Sequence, residues 1–492
     1  MTTKKTILRF TKLAWRAICT HHRNKGPVER ASVALGHSIV HGDRQIILLD
    51  VPGLALMEDS DYAHQHGGAV QVKPEVTRHL MWWLAQSEYD TFISIHDHWF
   101  AKRGTTFSGG DDRDDITQDQ YFRSVLEPQL RMGPFGKARE LTHISLVLDQ
   151  NSMDARLVDS STKSHFATIN SVQVLGTGLD LMIPNSHAAD RVAPDEVNAR
   201  HRDFLSPTVR QTLAGLRVGI VGCGGIGSIL AENLLRLGIR EFALFDPDTL
   251  ETTNLNRWLG ARRSDVGKPK VDLLAANLIG CEPSARVQTI RGDVIDVRPT
   301  DAIGSCDVLI GTVDNDAARY WLNRVACATL VPLFDLGVRI RTQPRIDFLT
   351  RIVPVLPGQT ACLECSAIGL LDRLEVAKRF DGLTARARKS AGYVSDAPAS
   401  SPSVMGLNTQ VAGAAVLEFL AFISGWHRVS RLKTSTWSTG AVVAVQEDCH
   451  LPDPKCPACG PDALAKGAMG CIPVPTPAEA TFDALRELFD VH

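Results

Sequence analysis

The sequence predicts an α/β protein in which a compact N-terminal domain precedes a larger domain built on a doubly wound, parallel sheet. Short apolar runs alternate with turn signals from about residue 26 to 165, which is typical of a compact α/β domain. From Arg217 onward the order is strand, glycine-rich turn, helix and strand, which indicates parallel strands with helical crossovers. A chain of 492 residues also exceeds what one hydrophobic core supports, so two or three domains are expected.

Composition excludes several classes of function. The formal net charge is −2 and 44% of the residues are hydrophobic, so the chain lacks the basic excess expected of a nucleic-acid-binding protein. The longest apolar run, residues 411–423, is too short and interrupted to cross a bilayer, so no transmembrane segment is expected. Eleven cysteines in a chain of this size do not indicate a disulfide scaffold. These features predict a cytoplasmic protein.

The first 25 residues predict a basic helix. Lysines and arginines alternate there with apolar side chains, which suits either a helix on a membrane surface or a helix packed on its own domain. Packing on the domain is the favoured interpretation. The segment lacks the continuous apolar stretch and the small-residue cleavage site of a secretory signal, which again favours the cytoplasm.

The two domains and their connection follow from the order of these patterns. The first domain is predicted at residues 26–165, the connection at 166–212 and the second domain at 213–470, with a tail helix at 471–492. In the first domain and the connection, the predicted elements are strands at 45–51, 92–95 and 143–148 and helices at 77–87 and 207–214. In the second domain, they are strands at 218–221, 242–245 and 308–311 and a helix at 228–237.

Two histidines separated by one residue follow the strand that ends at residue 95. Because alternate residues of a strand point the same way, His96 and His98 can donate two imidazoles to one zinc ion. Asp111 can supply a third, oxygen ligand, which leaves one position open for water, as in catalytic zinc sites. Glu29 would then carry a proton of that water, and Ser108 would hydrogen-bond the developing oxyanion.

A lone His-x-His pattern also suits histidines of a surface or a core, so the surrounding residues decide the interpretation. A Ser-x-x-Asp pattern and a glutamate before an apolar strand favour the metal site. With these residues, the region 26–165 resembles the JAB/JAMM (MPN-type) metalloproteases, which remove ubiquitin-like proteins. The resemblance implies Glu29 as general base, His96, His98 and Asp111 as zinc ligands, and Ser108 as the oxyanion-stabilising residue.

Two residues of this region depart from the JAB/JAMM pattern. Asp97 stands between the histidines, where Ser or Thr is usual, and Trp99 follows them, where Pro is usual. Neither position is a ligand position, so the departures concern the specificity of the site and not its binding of zinc.

A glycine-rich turn at residues 222–227 predicts a cradle for a nucleotide. Glycines let the backbone approach a ligand, and the N-terminus of the following helix favours negative charge. The four glycines are Gly222, Gly224, Gly225 and Gly227. This pattern suits NAD as well as ATP, and Asp246 at the end of the second strand suits a ribose hydroxyl in both cases.

Charged residues downstream of the turn favour ATP. Arg257 and Lys270 would neutralise phosphate charge, and Asp314 would hold Mg²⁺. A hydride-transfer enzyme needs none of these three residues, so a simple NAD oxidoreductase is disfavoured. With these residues, the region 200–460 resembles the ThiF/MoeB/E1 superfamily, which adenylates the C-terminal glycine of ubiquitin-like proteins, and the resemblance implies a Rossmann-like, E1-type adenylation domain.

The ThiF/MoeB/E1 resemblance also assigns individual roles. Asp246 would bind the ribose, Asn254, Arg257 and Lys270 the phosphates, and Asp314 the Mg²⁺ ion. Members of the superfamily commonly form dimers in which an arginine of the other subunit completes the site. A homodimer is therefore expected, with Arg202 as the candidate arginine and Arg200 and Arg210 as competitors.

Two Cys-x-x-Cys pairs predict a structural zinc site. Four thiolates around one zinc ion form a closed, tetrahedral site that has no position for water. The superfamily places its zinc in the same way. The four cysteines are Cys362, Cys365, Cys456 and Cys459.

The crossover loop expected at residues 372–405 has no cysteine, although many E1-like enzymes transfer the activated protein to a cysteine there. The chain has none between Cys365 and Cys449. Serines of the loop would be poor substitutes, because an oxyester lacks the ready exchange of a thioester. The reaction would therefore end at the acyl-adenylate, or an E2-like protein, a sulfur donor, Cys449 or Cys471 would supply the acceptor.

The combined patterns predict ATP-dependent adenylation of the C-terminus of a ubiquitin-like protein, together with zinc-dependent JAMM isopeptidase or processing activity. The resemblance implies a bacterial ubiquitin-like modification system, with defence as one setting. Two alternatives stay open: adenylation that leads to a thiocarboxylate for sulfur transfer, and a binding scaffold with one inactive site. The expected cofactors are ATP, Mg²⁺ and two Zn²⁺ ions, one catalytic and one structural.

Overall fold

The structure of the protein is a computed structural model, and the chain divides into two compact units. Unit 1 comprises Met1–Arg191 with Ala465–Met469, and unit 2 comprises Val192–Leu464 with Gly470–His492. The structure describes residues 4–23, 28–66, 69–98, 106–131, 139–149, 152–184, 199–201, 204–296, 302–343, 346–365, 371, 376, 402–427, 429, 433–438, 441–447, 451–461 and 463–465.

Unit 1 is built on a sheet that closes on itself. Its strands are β1 (Lys5–Thr11), β2 (Ala31–His41), β3 (Arg44–Leu49), β4 (Leu54–Leu56), β5 (Tyr62–His66), β6 (Ala69–Val72), β7 (Thr91–Asp97), β8 (Thr142–Leu148), β9 (Met153–Val158), β10 (Phe166–Leu175) and β11 (Leu179–Met182). The order β1-β3-β2-β7-β8-β9-β10 returns to β1, because β10 also pairs in parallel with β1. The strands β4 and β11 pair with β2 and β10, and β5 and β6 form a separate hairpin.

Three helices cover the two faces of this sheet. They are α1 (Lys12–Arg23), α2 (Pro74–Gln86) and α3 (Gly109–Arg131). Ile93 and Ile95 of β7 belong to the core cluster that contains Ile18 of α1, whereas Phe92 belongs to the cluster that contains Phe122 of α3. Because strand side chains alternate between faces, the residues after Ile95 are also divided between the α1 side and the α3 side.

The prediction of a basic helix at residues 1–25 is wrong for the first half of this segment. Lys5–Thr11 forms β1, which lies between β3 and β10 and pairs in parallel with both, and only Lys12–Arg23 is helical. A strand buried on both faces shows no alternation of polar and apolar residues, which hides it in the sequence. Even Arg9 is buried in β1, where its Nε donates to Gln173 Oε1 at 2.9 Å.

The predicted boundary at residue 165 is also wrong, since β10 and β11 belong to the sheet of unit 1. The first domain therefore extends at least to Met182, and the connection is shorter than residues 166–212. The other elements predicted for this half are confirmed with small shifts of their ends, as β3, α2, β7 and β8.

Unit 2 is built on an eight-stranded mixed sheet. Its strands are β12 (Arg217–Val221), β13 (Glu241–Phe245), β14 (Arg286–Ile290), β15 (Val308–Gly311), β16 (Leu333–Arg341), β17 (Asp347–Val355), β18 (Lys433–Ser438) and β19 (Ala441–Glu447). Its helices are α4 (Pro207–Gly215), α5 (Gly225–Leu237), α6 (Lys270–Cys281), α7 (Asp316–Ala328) and α8 (Met405–Ser424). The strand order is β14-β13-β12-β15-β16-β17-β18-β19.

The predicted parallel sheet is confirmed for only part of unit 2. From β14 to β16 all neighbouring strands are parallel, and the order reverses between β12 and β15, which makes the gap between these strands a topological switch point. The pairs from β16 to β19 are antiparallel. The antiparallel half was missed because β16 and β17 follow each other without a helix, as do β18 and β19, whereas the signal for parallel strands is the helix of a crossover.

The apolar run at residues 411–423 lies in the longer helix α8. By length and composition alone, this helix of 20 residues is the single one in the described part of the chain that could cross a membrane, and just over half of it is buried. It packs against α5, β16 and β17, and its Phe419 and Phe422 rings lie 6.2 and 5.8 Å from the Phe334 ring. These contacts are those of a core helix.

Candidate active sites

In unit 1, the end of β7 gathers the three predicted zinc ligands. The rings of His96 and His98 lie 4.9 Å apart, and the His98 N–H donates to the Leu148 carbonyl at 2.8 Å, which continues the pairing with β8 past Asp97. Asp111, in the first turn of α3, places Oδ1 3.4 Å from His96 Nε2 and Oδ2 3.8 Å from His98 Nε2. One ligand atom of each residue lies within 4.8 Å of the others.

Asp111 is held in place by a capping box at the start of α3. Its carboxylate accepts from the Ser108 N–H at 2.6 Å, and its own N–H donates to Ser108 Oγ at 3.3 Å. Burial opposes ionisation of Asp111, but the nearby His96 imidazole and hydrogen bonds from Ser108 outweigh it and hold the pKa of Asp111 well below its usual value. The aspartate is therefore ionised and fixed beside both histidines.

The donor set of this cluster fits a zinc ion. His96 Nε2 is buried and makes no hydrogen bond to any described residue, a state that costs about 1–3 kcal/mol unless a partner satisfies the atom. A cation between the three ligand atoms would be that partner. The side chains of His96, His98 and Asp111 are 15%, 17% and 19% exposed, so solvent reaches the cluster, as an open zinc site requires.

Glu29 lies beside the same cluster by strand register. Ala31 of β2 is opposite His96 of β7, so continuing the antiparallel register by two residues places Glu29 opposite His98. Glu29 is buried, and Gln65 Nε2 of the β5–β6 hairpin donates to its carbonyl at 2.9 Å. The strand pairing therefore brings the segment that carries the predicted general base to the edge of the sheet at which the predicted ligands lie.

Ser108 is exposed at the N-terminus of α3, where its hydroxyl accepts from the Asp111 N–H. This contact gives Ser108 a capping role that needs no substrate. Its predicted contact with an oxyanion stays a prediction.

Asp97 is explained by a partner that the sequence analysis missed. It points to the α1 side of β7, opposite to the histidines, where His22 Nδ1 lies 2.6 Å from its Oδ2. His22 Nε2 lies 2.9 Å from Ser32 Oγ, so the ring bridges β7 and β2. Burial, with the nearby charges of His96 and Arg30, lowers the pKa of His22 to about 3. A neutral ring that donates from Nδ1 and accepts at Nε2 satisfies both contacts.

In unit 2, packing requires three of the four glycines in the turn after β12. Gly222 has a φ of +94°, and a Cβ on Gly227 would lie 2.0 Å from the Gly222 carbonyl oxygen. A Cβ on Gly225 would lie 2.4 Å from Asn408 Nδ2. Gly224, at the N-terminus of α5, has no described atom within 4 Å of the same position. It leaves open space where a phosphate would meet the backbone N–H groups of the helix.

Asp246 holds the turn from one side and Trp258 from the other. The Asp246 carboxylate accepts from the N–H groups of Cys223 at 2.6 Å and Asp248 at 2.8 Å, and its burial raises the pKa of Asp246. The Trp258 indole donates to the Cys223 carbonyl at 2.7 Å. The predicted ribose ligand therefore lies at the turn and also orders its backbone.

Two of the predicted phosphate ligands lie beside the turn. The backbone oxygen and Cγ of Arg257 would be 3.1 and 3.3 Å from a Cβ on Gly225. Lys270, at the start of α6, pairs with Asp248 at 2.7 Å. Asn254 instead caps its own loop, since its Oδ1 accepts from the Glu251 N–H at 3.1 Å, and no described contact joins it to the turn.

Asp314 lies in a loop after β15 that is anchored on both sides. Thr312 Oγ1 donates to the Gly222 carbonyl at 2.5 Å, and Arg319 Nη2 donates to the Val313 carbonyl at 2.8 Å. The Arg319 guanidinium also lies 3.3 Å from the buried Asp335. The loop is thus fixed to the glycine-rich turn while Asp314 itself stays exposed. The patterns in the sequence predicted no role for Arg319 or Asp335.

Several predicted residues lie outside the described part of the chain. These are Arg202, Cys449, Cys471, most of the crossover loop at 372–405 and the tail at 471–492. Of the two competing arginines, Arg200 is exposed, and Arg210 has a buried Nε without a hydrogen-bond partner among the described residues.

The four cysteines of the two Cys-x-x-Cys pairs meet in one cluster. The sulfur of Cys362 lies 3.6 Å from that of Cys456, and the sulfur of Cys365 lies 3.5 Å from that of Cys459. These separations are too long for disulfides and close to the edge of a tetrahedron with zinc–sulfur bonds of about 2.3 Å. The donor set therefore fits the predicted closed zinc site.

The first pair of cysteines is attached to α7. Glu364, between Cys362 and Cys365, accepts two hydrogen bonds of 2.9 Å from the Arg324 guanidinium. Asn323 adds a bond from its Nδ2 to Glu364 at 3.2 Å and accepts from the Leu363 N–H at 2.9 Å. Because α7 begins directly after the Asp314 loop, the cysteine cluster and this loop share one rigid helix.

The fold and the site of unit 2 define a class of protein. Unit 2 has three parts of a Rossmann-type nucleotide site. They are a glycine-rich turn at the switch point of a doubly wound sheet, an acidic residue after the second strand and the N-terminus of a helix that faces open space. The family model described as the ThiF family matches residues 198–458, slightly more than half of the chain. The chain belongs to the ThiF family.

Two curated relatives each match a little over a third of this chain. The "Ubiquitin-activating enzyme E1-like" of Saccharomyces cerevisiae is 28% identical over 180 residues, which cover 36% of this chain and 26% of that protein. The "SAMP-activating enzyme E1" of Haloferax volcanii is 29% identical over 206 residues, 37% of this chain and 75% of that protein. Among solved structures, Escherichia coli MccB with ATP matches at 21% identity and a TM-score of 0.42, over 54% of this chain and 75% of that one.

We expect Gly224→Ala and Gly227→Ala to separate ligand binding from folding. Gly224→Ala fills open space, so the free energy of unfolding should change by less than about 1 kcal/mol. ATP should bind to this variant at least about tenfold more weakly than to wild type. Gly227→Ala places its methyl group against the backbone and should destabilise unit 2 by several times as much. Thermal unfolding and calorimetric titration with ATP check both variants. Unchanged ATP affinity in Gly224→Ala would contradict the placement of the phosphate.

The buried His22 predicts a pH dependence for unit 1. The folded pKa of about 3 lies below the unfolded value of 6.5, so the unfolded chain binds the extra proton between these pH values. Protection of α1 and β7 in hydrogen exchange should therefore fall as the pH decreases from 6.5 towards 4. In His22→Asn the free energy of opening should depend less steeply on pH than in wild type, by up to about 1 kcal/mol per pH unit. His79→Asn, at an exposed position on α2, is the control, and parallel profiles for His22→Asn and wild type would refute the assignment.

Proposed function

We propose that unit 2 uses ATP and Mg²⁺ to adenylate the C-terminal carboxylate of a ubiquitin-like protein. The observation that carries the proposal is the contact of three separate loops with one glycine-rich turn. Arg257 packs on Gly225, Asp246 binds the Cys223 N–H, and the Asp314 loop is hydrogen-bonded to Gly222 through Thr312. Membership of the ThiF family and the names of the yeast and Haloferax relatives support the same reaction.

The residues of unit 2 suit the chemistry of adenylation. A carboxylate oxygen forms a bond to the α-phosphorus of ATP, the bond to the β-phosphate oxygen breaks, and pyrophosphate leaves. Arg257 and Lys270 would neutralise the phosphates, Asp246 would bind the ribose and Asn254 would support the phosphate contacts from its loop. Mg²⁺, when bound at Asp314, would offset the charge of the leaving pyrophosphate. Arg202 of a second subunit would complete the site in a homodimer.

The acceptor of the activated carboxyl group would come from outside the crossover loop. Since the chain has no cysteine between Cys365 and Cys449, an E2-like protein or a sulfur donor would attack the adenylate directly. The same absence favours a second candidate function, in which the adenylate becomes a thiocarboxylate for sulfur transfer. Release of a thiocarboxylated carrier protein would distinguish that route from conjugation.

We further propose that unit 1 is a zinc-dependent isopeptidase of the JAB/JAMM type. Support comes from the convergence of His96, His98 and Asp111 and from the buried, unsatisfied His96 Nε2. Zinc, when bound, would polarise the scissile carbonyl and lower the pKa of water at the site to about 7. Glu29, two residues before the Ala31 that pairs with His96, would accept and return the proton, and Ser108 would stabilise the oxyanion.

The two activities suit a single modifier protein. Hydrolysis by unit 1 would produce a free C-terminal carboxylate, and adenylation by unit 2 would consume one. The pair would serve a cytoplasmic, bacterial ubiquitin-like modification system, including one used in defence. The Cys362, Cys365, Cys456 and Cys459 cluster would hold the structural zinc that fixes the C-terminal segment to unit 2.

ATP–pyrophosphate exchange tests the adenylation proposal. With a ubiquitin-like protein as the second substrate, Asp314→Asn should reduce the exchange rate at least about 100-fold, because the cation that offsets phosphate charge is lost. Glu29→Gln should exchange at the wild-type rate and serves as the control from the other unit. Exchange that survives Asp314→Asn would refute the site, and exchange supported only by small carboxylic acids would refute the protein substrate.

Cleavage of a ubiquitin-like protein carrying a C-terminal extension tests the peptidase proposal. Wild-type protein loaded with zinc should release the extension, and Glu29→Gln should reduce the rate about 100-fold or more while zinc still binds. Asp314→Asn is the matched control and should cleave normally. Equal cleavage by wild type and Glu29→Gln would contradict the assignment of the general base.

A further inference from the structure

Arg156 of β9 lies at the centre of a cluster next to the metal ligands of unit 1. Its guanidinium carbon is 3.7 Å from the centroid of the Phe107 ring and 3.9 Å from that of the Phe166 ring. The side chain is only 11% exposed. Each ring stabilises a guanidinium that is shielded from water more strongly than it would stabilise one on the open surface, because the cation–π attraction is less screened.

The same guanidinium binds two carboxylates of α3. Its Nη1 lies 2.5 Å from Asp112 Oδ1, and its Nε and Nη2 lie 3.0 and 2.6 Å from Asp115 Oδ2. Asp115 is 9% exposed, so this pair is largely shielded from solvent. The first two turns of α3 are thereby attached to β9 through one side chain.

The partners of Arg156 flank the Ser108–Asp111 capping box on both sides. Phe107 directly precedes Ser108, and its ring lies 6.2 Å from the His96 ring. Asp112 directly follows Asp111. Arg156 therefore contacts the residue before and the residue after the segment that carries the third ligand.

We propose that Arg156 is a positioning residue that holds Asp111 against His96 and His98, and so determines how tightly this cluster binds a divalent cation. The proposal rests on the zinc site proposed for unit 1. The capping box fixes Asp111 relative to α3, but it does not fix α3 relative to β7. Phe122 packs on Phe92 of β7 farther along the helix, and the contacts of Arg156 with β10 and α3 add a constraint at the end of α3 that carries Asp111.

The geometry requires arginine and not merely a positive charge. The planar guanidinium stacks between Phe107 and Phe166 and offers its donors at the edge of the plane to Asp112 and Asp115. A lysine at this position would keep the charge but lose the stacking and the fork of donors. Arg156→Lys therefore isolates the positioning effect from the net charge of the site.

The test is the affinity of the full-length protein for Zn²⁺, measured by competition with a chromophoric chelator after the four-cysteine cluster has been filled. Arg156→Lys should bind the additional zinc about 10–100-fold more weakly than wild type, as expected for loss of a residue that orients a ligand. The visible absorption of Co²⁺ at the same site should also change shape. Arg113→Lys, at an exposed position in the first turns of α3, is the control and should match wild type.

A second pair of variants guards against a failure to fold. Asp112→Asn removes one ion pair of Arg156 at a half-exposed position, and Asp114→Asn is its exposed control on the same helix. Asp112→Asn should bind zinc more weakly than wild type, whereas Asp114→Asn should not. Thermal unfolding of the metal-free protein should be unchanged in both variants.

The outcomes separate this inference from the function on which it rests. Wild-type affinity in both Arg156→Lys and Asp112→Asn would overturn the positioning role and leave the zinc site intact. A wild-type protein that takes up zinc only at the four cysteines would overturn the proposed peptidase site and the positioning role together.

Discussion

Strand direction decides where the candidate sites of both units lie. The carboxyl ends of neighbouring parallel strands meet at one edge of a sheet, so loops that are distant in sequence come together there. In unit 1, His96 and His98 lie at the end of β7, which runs parallel to β8. In unit 2, the glycine-rich turn, Asp246 and Asp314 follow the ends of the parallel strands β12, β13 and β15. Caps, ion pairs and buried hydrogen bonds then fix these loops in place.

Short-range patterns in the sequence predicted which side chains come together better than they predicted the fold. The i, i+2 spacing of His96 and His98 and the turn beginning at Gly222 depend on local geometry, which a sequence shows directly. Strand β1 was missed because it is buried on both faces and carries basic residues, and its pairing with β10 joins segments that lie far apart in the sequence. Long-range pairing leaves no local periodicity, so the closed sheet of unit 1 could not be predicted.

Residues that support the sites were the hardest to predict. His22, Arg156 and Arg324 act through partners that lie 40 to 75 positions away along the chain, so no motif contains both members of a pair. Asp97 shows the consequence. As a departure from a family pattern, Asp97 cast doubt on the specificity of the site. Its contact with His22 shows instead a buried pair on the side of β7 that faces away from His96 and His98.

The reaction proposed for unit 2 is activation of the carboxyl group of a protein by transfer of adenylate. The most direct test uses a ubiquitin-like protein whose C-terminal carboxylate carries ¹⁸O, incubated with the full-length protein, ATP, Mg²⁺ and a thiol acceptor. The account predicts AMP that contains one ¹⁸O atom, because the bridging oxygen of an acyl-adenylate comes from the carboxylate and leaves with the phosphate. AMP without ¹⁸O would contradict the account, since it would show that ATP is cleaved without attack by the carboxylate.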